Sequence, residues 1–307
     1  LLYAPPPMRT PALLLAALAV AASGCGDDAG GEAGGEVRAV ATTTITGDLV
    51  LSVGGGRVDL DTLVPPNADP HDFEPRPSDA VALADADVVL ESGGDLDEWL
   101  SELTDSAGGD AAEVTLLDSV RAIDDDPHWW QDPRNAILAV GAVRDALAEA
   151  DPQGRRAYER NAAAYVRELR RLDAQIERCM RRVPRERRKL VTTHDSLGYF
   201  ADRYDVEVIG AVIPSLSTQA QPSAKDVDAL VEQIEDEGVE AIFPEVAVSQ
   251  RLERAISRES GAEVGRELWT DGLGGEGSGA ETYLDAMRAN ADALAQGMSG
   301  GRVSCGG

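Results

Sequence analysis

The chain has 307 residues, 43% of them hydrophobic, and 55 acidic against 28 basic side chains leave a formal net charge of −27. That length suits one large domain or two lobes of ordinary size, and the apolar share is enough for a packed core. A surface this acidic excludes nucleic acid and anionic lipid as electrostatic partners and favours cations.

The first recognisable element is "MRTPALLLAALAVAASGC", Met8 to Cys25. One basic residue, Arg9, precedes a short apolar run that ends in small residues. The run is too short to span a bilayer, and its flanks are those of a secretory signal. Its small-small-Cys ending resembles the lipobox of bacterial lipoproteins, in which the cysteine becomes the acylated first residue. Cys25 is therefore the expected lipid attachment point. The following "GDDAGGEAGGE", residues 26–36, is a tether by composition.

From Val37 onward strands and helices alternate. "VRAVAT", "RVDLDTLV", "DVVLES" and "EVTLLDSV" are β-rich, and "SDAVALADA" and "DLDEWLSEL" between them are helical. "VGGGR" lacks the Lys-Ser/Thr ending of a phosphate loop and reads as a turn between a helix and a strand. Another helix opens at Asp132-Pro133. A long helix then begins with Asp151 as N-cap and Pro152 as first residue. Its apolar stripe, Tyr158, Ala162, Tyr165, Leu169, Leu172, Ile176 and Met180, recurs at steps of three and four. It runs for about 30 residues, or roughly 45 Å, until Val183-Pro184. Strands resume with "KLVTTH", "VEVIGAV", "VEAIFPE" and "AEVGRELW". "SAKDVDALVEQIEDEG" is a helix with Ser223 as N-cap and Gly238 as stop.

Strands alternating with helices imply parallel sheets. The expected fold class is α/β, with two lobes, each a parallel sheet flanked by helices, joined by one long rigid helix. The expected divisions are a signal peptide over 8–25, a tether over 26–36, an N-terminal lobe over 37–150, the linking helix over 151–183 and a C-terminal lobe over 186–299.

The chain has three histidines. His71 lies in the loop "NADPHDFEPRP", His128 in "DDDPHWWQDP", and His194 ends the strand "KLVTTH". Ligands of open α/β sheets bind beyond the carboxyl ends of strands. Asp271, in "ELWTDGLGG", stands just past the end of the last strand. Two candidates from each half would build one site between the lobes. Three imidazoles and a carboxylate are a common ligand set for Zn²⁺. Asp72 and Asp195 directly follow two of the histidines; each either orients a ligand or caps the next turn. Trp129, Trp130, Phe73 and Tyr199 beside the candidates form either a dry wall or plain core. There is no HExxH, CxxC or GxSxG. With Cys25 assigned to lipid, Cys179 and Cys305 remain as candidates for a disulfide in an oxidising compartment. Sequence leaves open whether they meet.

"LVPPNADPHDFEPRPSD", "DPHWWQDPRNA", "VTTHDSLGYFADRYDVEVIG" and "LWTDGLGG" resemble, in this order, four motifs of the metal-specific (zinc/manganese/iron) solute-binding lipoproteins of bacterial ABC importers. The resemblance covers Val37 to Met298. It implies two α/β lobes on a rigid helix and one metal held by His71, His128, His194 and Asp271. It also implies no catalytic role, an extracytoplasmic location with a lipid anchor, a monomer, and a membrane permease as partner. Manganese-favouring members often carry a carboxylate at the third ligand position. His194 there suits zinc, with Mn²⁺ or Fe²⁺ the alternative. A His-rich metal-collecting loop is missing; Asp124 to Asp126 are its only counterpart. Glu245, in "IFPE", matches a recurrent family glutamate that lines the cleft. Two further classes remain open: a secreted zinc hydrolase, which would leave Asp271 away from the metal, and an adhesin stabilised by a metal.

Overall fold

A computed structural model describes residues 36–306; the expected signal peptide, Cys25 and the tether up to residue 35 lie outside them. In the first half the apolar run "VRAVA" forms β1 (Val37–Ala41), with four of its five residues buried. The flanking strands are β2 (Val58–Thr62), β3 (Val88–Glu91) and β4 (Ala112–Thr115). All pair in parallel in the order β2-β1-β3-β4. Helices α1 (Thr44–Gly54), α2 (Pro77–Asp85), α3 (Trp99–Ala107) and α4 (Pro133–Ala150) connect or follow them. Parallel strands covered on both faces read as near-continuous apolar runs, as β1 does apart from the exposed Arg38 and β3 up to Glu91. Asp132 caps α4 by accepting from Arg134 N at 2.8 Å, with Pro133 in the first turn.

The second half repeats the plan. Its elements are β5 (Lys189–His194), α6 (Gly198–Tyr204), β6 (Glu207–Ile213), α7 (Ala224–Glu237), β7 (Ala241–Ile242), α8 (Arg251–Ser260), β8 (Glu263–Val264) and α9 (Tyr283–Ser299). β5–β6 and β7–β8 are parallel pairs. Parallel bridges at Thr192–Phe243 and Glu245–Leu268 continue the pattern beyond them. The expected strands "VEAIFPE" and "AEVGRELW" are thus shorter than the sequence suggests. Pro244 has no N–H to give a ladder, so regular pairing stops there and the chain is free to present Glu245. α7 is capped by the expected Ser223, which forms a capping box with Asp226, and stops at the expected Gly238, where φ is +61°.

Between the halves lies α5 (Arg155–Met180), 26 residues long, or about 39 Å. Its start differs from the expectation. Asp151 closes α4 instead, and its carboxylate accepts from Gln153 N, Gly154 N, Arg57 and the Tyr158 hydroxyl. A carboxylate with that many donors holds the turn between two helices, so α5 begins three residues later, at Arg155 instead of Pro152. The apolar stripe is buried as its spacing predicts. One continuous core joins Leu169, Leu172 and Ile176 to Val37 of β1, Val140 of α4, Phe200 of α6 and Leu294 of α9. The helix therefore packs on both lobes at once. Cys179, near its end, is disulfide-bonded to Cys305 beyond α9, with Cα atoms 5.4 Å apart.

Candidate metal centre

Two of the histidines sit in the same local device. In Asp69-Pro70-His71 and in Asp126-Pro127-His128, the aspartate Oδ1 accepts from the histidine N two residues on, at 2.9 Å in both. Proline fixes φ and has no N–H, so the first donor the carboxylate meets is that of the histidine. Each triplet is a stiff turn that aims an imidazole. His71 lies in a 3-10 turn over Pro70–Asp72; His128 precedes another over Trp129–Gln131. His194 is the last residue of β5. Asp271 follows the Glu245–Leu268 bridge, and the first lobe fixes its loop. Trp130 Nε1 and Gln131 Nε2 both donate to the Thr270 carbonyl, at 2.7 and 2.8 Å.

The structure brings His71, His128, His194 and Asp271 to one point, with one potential donor atom of each lying within 4.8 Å of the others. His194 Nε2 is 3.3 Å from His128 Nε2 and 3.4 Å from Asp271 Oδ2. His128 Nε2 is 3.5 Å from Asp271 Oδ1, and His71 Nε2 is 3.9 Å from Asp271 Oδ2. His128 and His194 are fully buried, and Asp271 and His71 are 7% and 9% exposed. Among the described residues, His71 Nε2 and Asp271 Oδ1 find no hydrogen-bond partner. Buried polar atoms are rarely left so, and two orphans facing one centre match a cation that both would bind.

The far sides of two imidazoles are held by carboxylates. His128 Nδ1 is 2.7 Å from Asp126 Oδ1, and His194 Nδ1 is 2.7 Å from Glu245 Oε2. A carboxylate acceptor puts a proton on each Nδ1, which leaves Nε2 as the atom each ring would turn to a bound cation, on His194 once its second proton has left. Glu245 Oε1 also accepts from His194 N at 3.2 Å. Asp126 does for His128 what Glu245 does for His194. The repeated Asp-Pro-His triplet was the sequence signal for this role, which a reading of Asp124 to Asp126 as a metal-collecting run passes over. Asp72 and Asp195 have exposed side chains with no hydrogen bond to any of the three imidazoles. Side chains of adjacent residues point apart, so the orienting carboxylates come from two residues upstream or from another strand.

Electrostatics divide the histidines. Burial, reinforced by the His128 and His194 charges, pushes His71 down to about 3. Burial also holds His128 well below the usual imidazole value. Burial acts downward on His194 as well, but the Asp271 and Glu245 charges and the Glu245 hydrogen bond outweigh it, and its pKa rises to about 9. Asp271 is raised by burial against the His194 charge. Without a metal the cluster thus keeps His71 and His128 neutral and holds its protons on the His194–Asp271 pair.

Around the centre, the Trp130 ring meets His128 edge-on at 5.4 Å. The Tyr199 hydroxyl accepts from Ile123 N at 2.9 Å and donates to the Asp126 carbonyl at 3.0 Å. That joins α6 to the loop carrying His128. Phe73 packs on Trp99 in a separate apolar cluster of the first lobe, and Trp129 donates to the Ser92 carbonyl.

Residues 39–297 match the family model described as ZnuA, zinc-uptake complex component A, periplasmic. The chain is 32% identical over 289 residues to the manganese-binding lipoprotein MntA of Halalkalibacterium halodurans, covering 92% of this chain and 96% of that protein. It is 29% identical over 268 residues to the iron-binding protein YfeA of Yersinia pestis, covering 85% and 86%. Among solved structures, the periplasmic zinc binding protein TroA from Treponema pallidum matches with a TM-score of 0.80 at 28% identity, covering 87% of this chain and 100% of that one.

Proposed function

This chain belongs to the ZnuA family, periplasmic component A of zinc-uptake complexes, and from that premise we propose that Zn²⁺ is its cargo, held between the lobes by His71, His128, His194 and Asp271. It is the substrate-binding receptor of an ABC metal importer, extracytoplasmic and membrane-anchored, with a permease as its partner. We assign the anchor to Cys25, outside the described residues.

The carrying observation is the convergence of three Nε2 atoms and one carboxylate, two of these donors lacking any other partner. A tetrahedral zinc with bonds of about 2.0–2.1 Å separates its ligands by about 3.3–3.4 Å. The 3.3 Å between His128 Nε2 and His194 Nε2 and the 3.4 Å from His194 Nε2 to Asp271 Oδ2 already match, whereas His71, 3.9 Å from Asp271 Oδ2 in a set that extends to 4.8 Å, moves inward to complete the tetrahedron. Four protein ligands leave no open position for a reacting water, which argues against hydrolysis. Three imidazoles favour zinc over the harder Mn²⁺, which prefers oxygen donors. The manganese-binding name of MntA supports Mn²⁺ as the second reading.

His194→Ala should lower Zn²⁺ affinity by orders of magnitude in calorimetry while the protein stays folded; unchanged affinity rejects the site. Elemental analysis of protein purified from its native envelope should return zinc. Manganese or iron in its place rejects zinc as the cargo.

A further inference from the structure

The loop between β6 and α7, residues 214–223, reaches from the second lobe to the His71 turn of the first. Thr218 Oγ1 donates to Asp69 Oδ2 at 2.6 Å, and Gln219 Nε2 donates to the His71 carbonyl oxygen. Asp69 Oδ1 meanwhile accepts from His71 N at 2.9 Å. The two oxygens of one carboxylate thus engage opposite lobes, one shaping the turn that aims His71 and the other tied across the cleft. Neither Thr218 nor Gln219 belongs to the convergent donor set.

The other side of the cluster is anchored differently. Trp130 and Gln131 hold the Thr270 carbonyl, and the Tyr283 hydroxyl donates to the Trp130 carbonyl at 2.5 Å. These groups are buried. Thr218 is half-buried and Gln219 exposed. Opening at the Thr218–Gln219 side breaks two side-chain bonds that water can replace, whereas opening at the Trp130 side exposes buried polar groups and aromatic surface.

We infer that Thr218 and Gln219 are positioning residues that latch the second lobe onto the His71 turn and set how slowly bound metal leaves. The inference rests on the reading that His71 is a metal ligand. Contacts that hold the cleft closed over the His71 turn oppose the exit of a bound ion, so losing them acts on dissociation more than on association. A hydrogen bond to an ionised carboxylate is among the stronger ones, and its loss should speed release roughly tenfold.

The test uses the full chain loaded with Zn²⁺ and mixed with a large excess of a chromogenic chelator, with association measured separately by stopped-flow tryptophan fluorescence. Thr218→Val and Gln219→Ala should each release Zn²⁺ about tenfold faster, with association within twofold of wild type and the metal-free melting temperature unchanged. Thr218→Ser, which keeps the hydroxyl, should restore slow release. Wild-type release rates in both variants, or an effect confined to association, overturn the latch. His71→Ala separates the two readings. If it loses Zn²⁺ while the latch variants behave as wild type, only the latch fails. If it binds Zn²⁺ as wild type does, the ligand set fails and the latch with it.

Discussion

Glu245 Oε2 stands 2.7 Å from His194 Nδ1, both side chains being buried, His194 at the end of β5 and Glu245 in the segment just past β7. This pair fixes the ring's orientation, its tautomer and its proton affinity together. Glu245→Gln keeps the shape but removes the charge, and the amide can present either a donor or an acceptor to Nδ1. Metal affinity should fall about 10–100-fold, the range seen when such supporting groups are lost. Isothermal titration with Zn²⁺ checks this, and an affinity within threefold of wild type would show that Glu245 serves only packing.

The raised His194 value fixes the sign of the pH response. Metal-free protein holds a proton on His194 below about 9, and the metal-bound form cannot, so the free state binds more protons and affinity falls as pH falls. At least one proton should be released per Zn²⁺ near neutral pH from the His194–Asp271 pair, both of which are raised, so affinity should fall about tenfold or more per pH unit in that range. His71 and His128 are held low and add to the slope only in acid. Titrations in buffers of different ionisation enthalpy count the proton directly; no buffer dependence at pH 7.5 would contradict the assignment.

Asp126 shapes the His128 turn through the backbone and orients its ring through Nδ1. Asp126→Ala removes both contacts, so its loss of Zn²⁺ affinity should match or exceed that of Glu245→Gln. Asp72→Ala and Asp195→Ala, whose exposed side chains touch no imidazole, should bind as wild type. Equal losses in all three variants would mean that general acidity, not these two hydrogen bonds, supports the site.

The Cys179–Cys305 bond closes a loop of 126 residues that contains the whole second lobe. Replacing both cysteines by serine should cost about 2–4 kcal/mol of stability, read as a lower denaturation midpoint. Zn²⁺ affinity should change little, because the bond lies at the end of α5 and no donor residue adjoins it.

Leu169 is completely buried on α5 in the core shared by the two lobes. Leu169→Ala should destabilise the protein by about 2–5 kcal/mol. Unfolding should remain a single transition, because the lobes share that core; two resolved transitions would show that each lobe folds alone.

Local chemistry made much of this molecule legible in the chain itself. The α5 stripe, the Ser223 cap, the Asp132-Pro133 start and the alternation of strands and helices depend on residues within a few positions of one another, and the structure forms them. The sparse histidines, set at strand ends and in proline-stiffened loops, likewise marked the candidate donors. Other features required distant segments to meet. The α5 start moved because Asp151 found donors in Arg57 and Tyr158. β7 and β8 shortened where Pro244 interrupts the ladder. The pairing of Cys179 with Cys305, Glu245 behind His194, and Thr218 and Gln219 against the His71 turn join residues 51 to 149 positions apart. Periodicity reports which face of an element is apolar, because side-chain spacing is set by local backbone geometry. Which hydrogen-bonding partner a buried polar group finds is set by where the other lobe packs, and only the tertiary structure decides that.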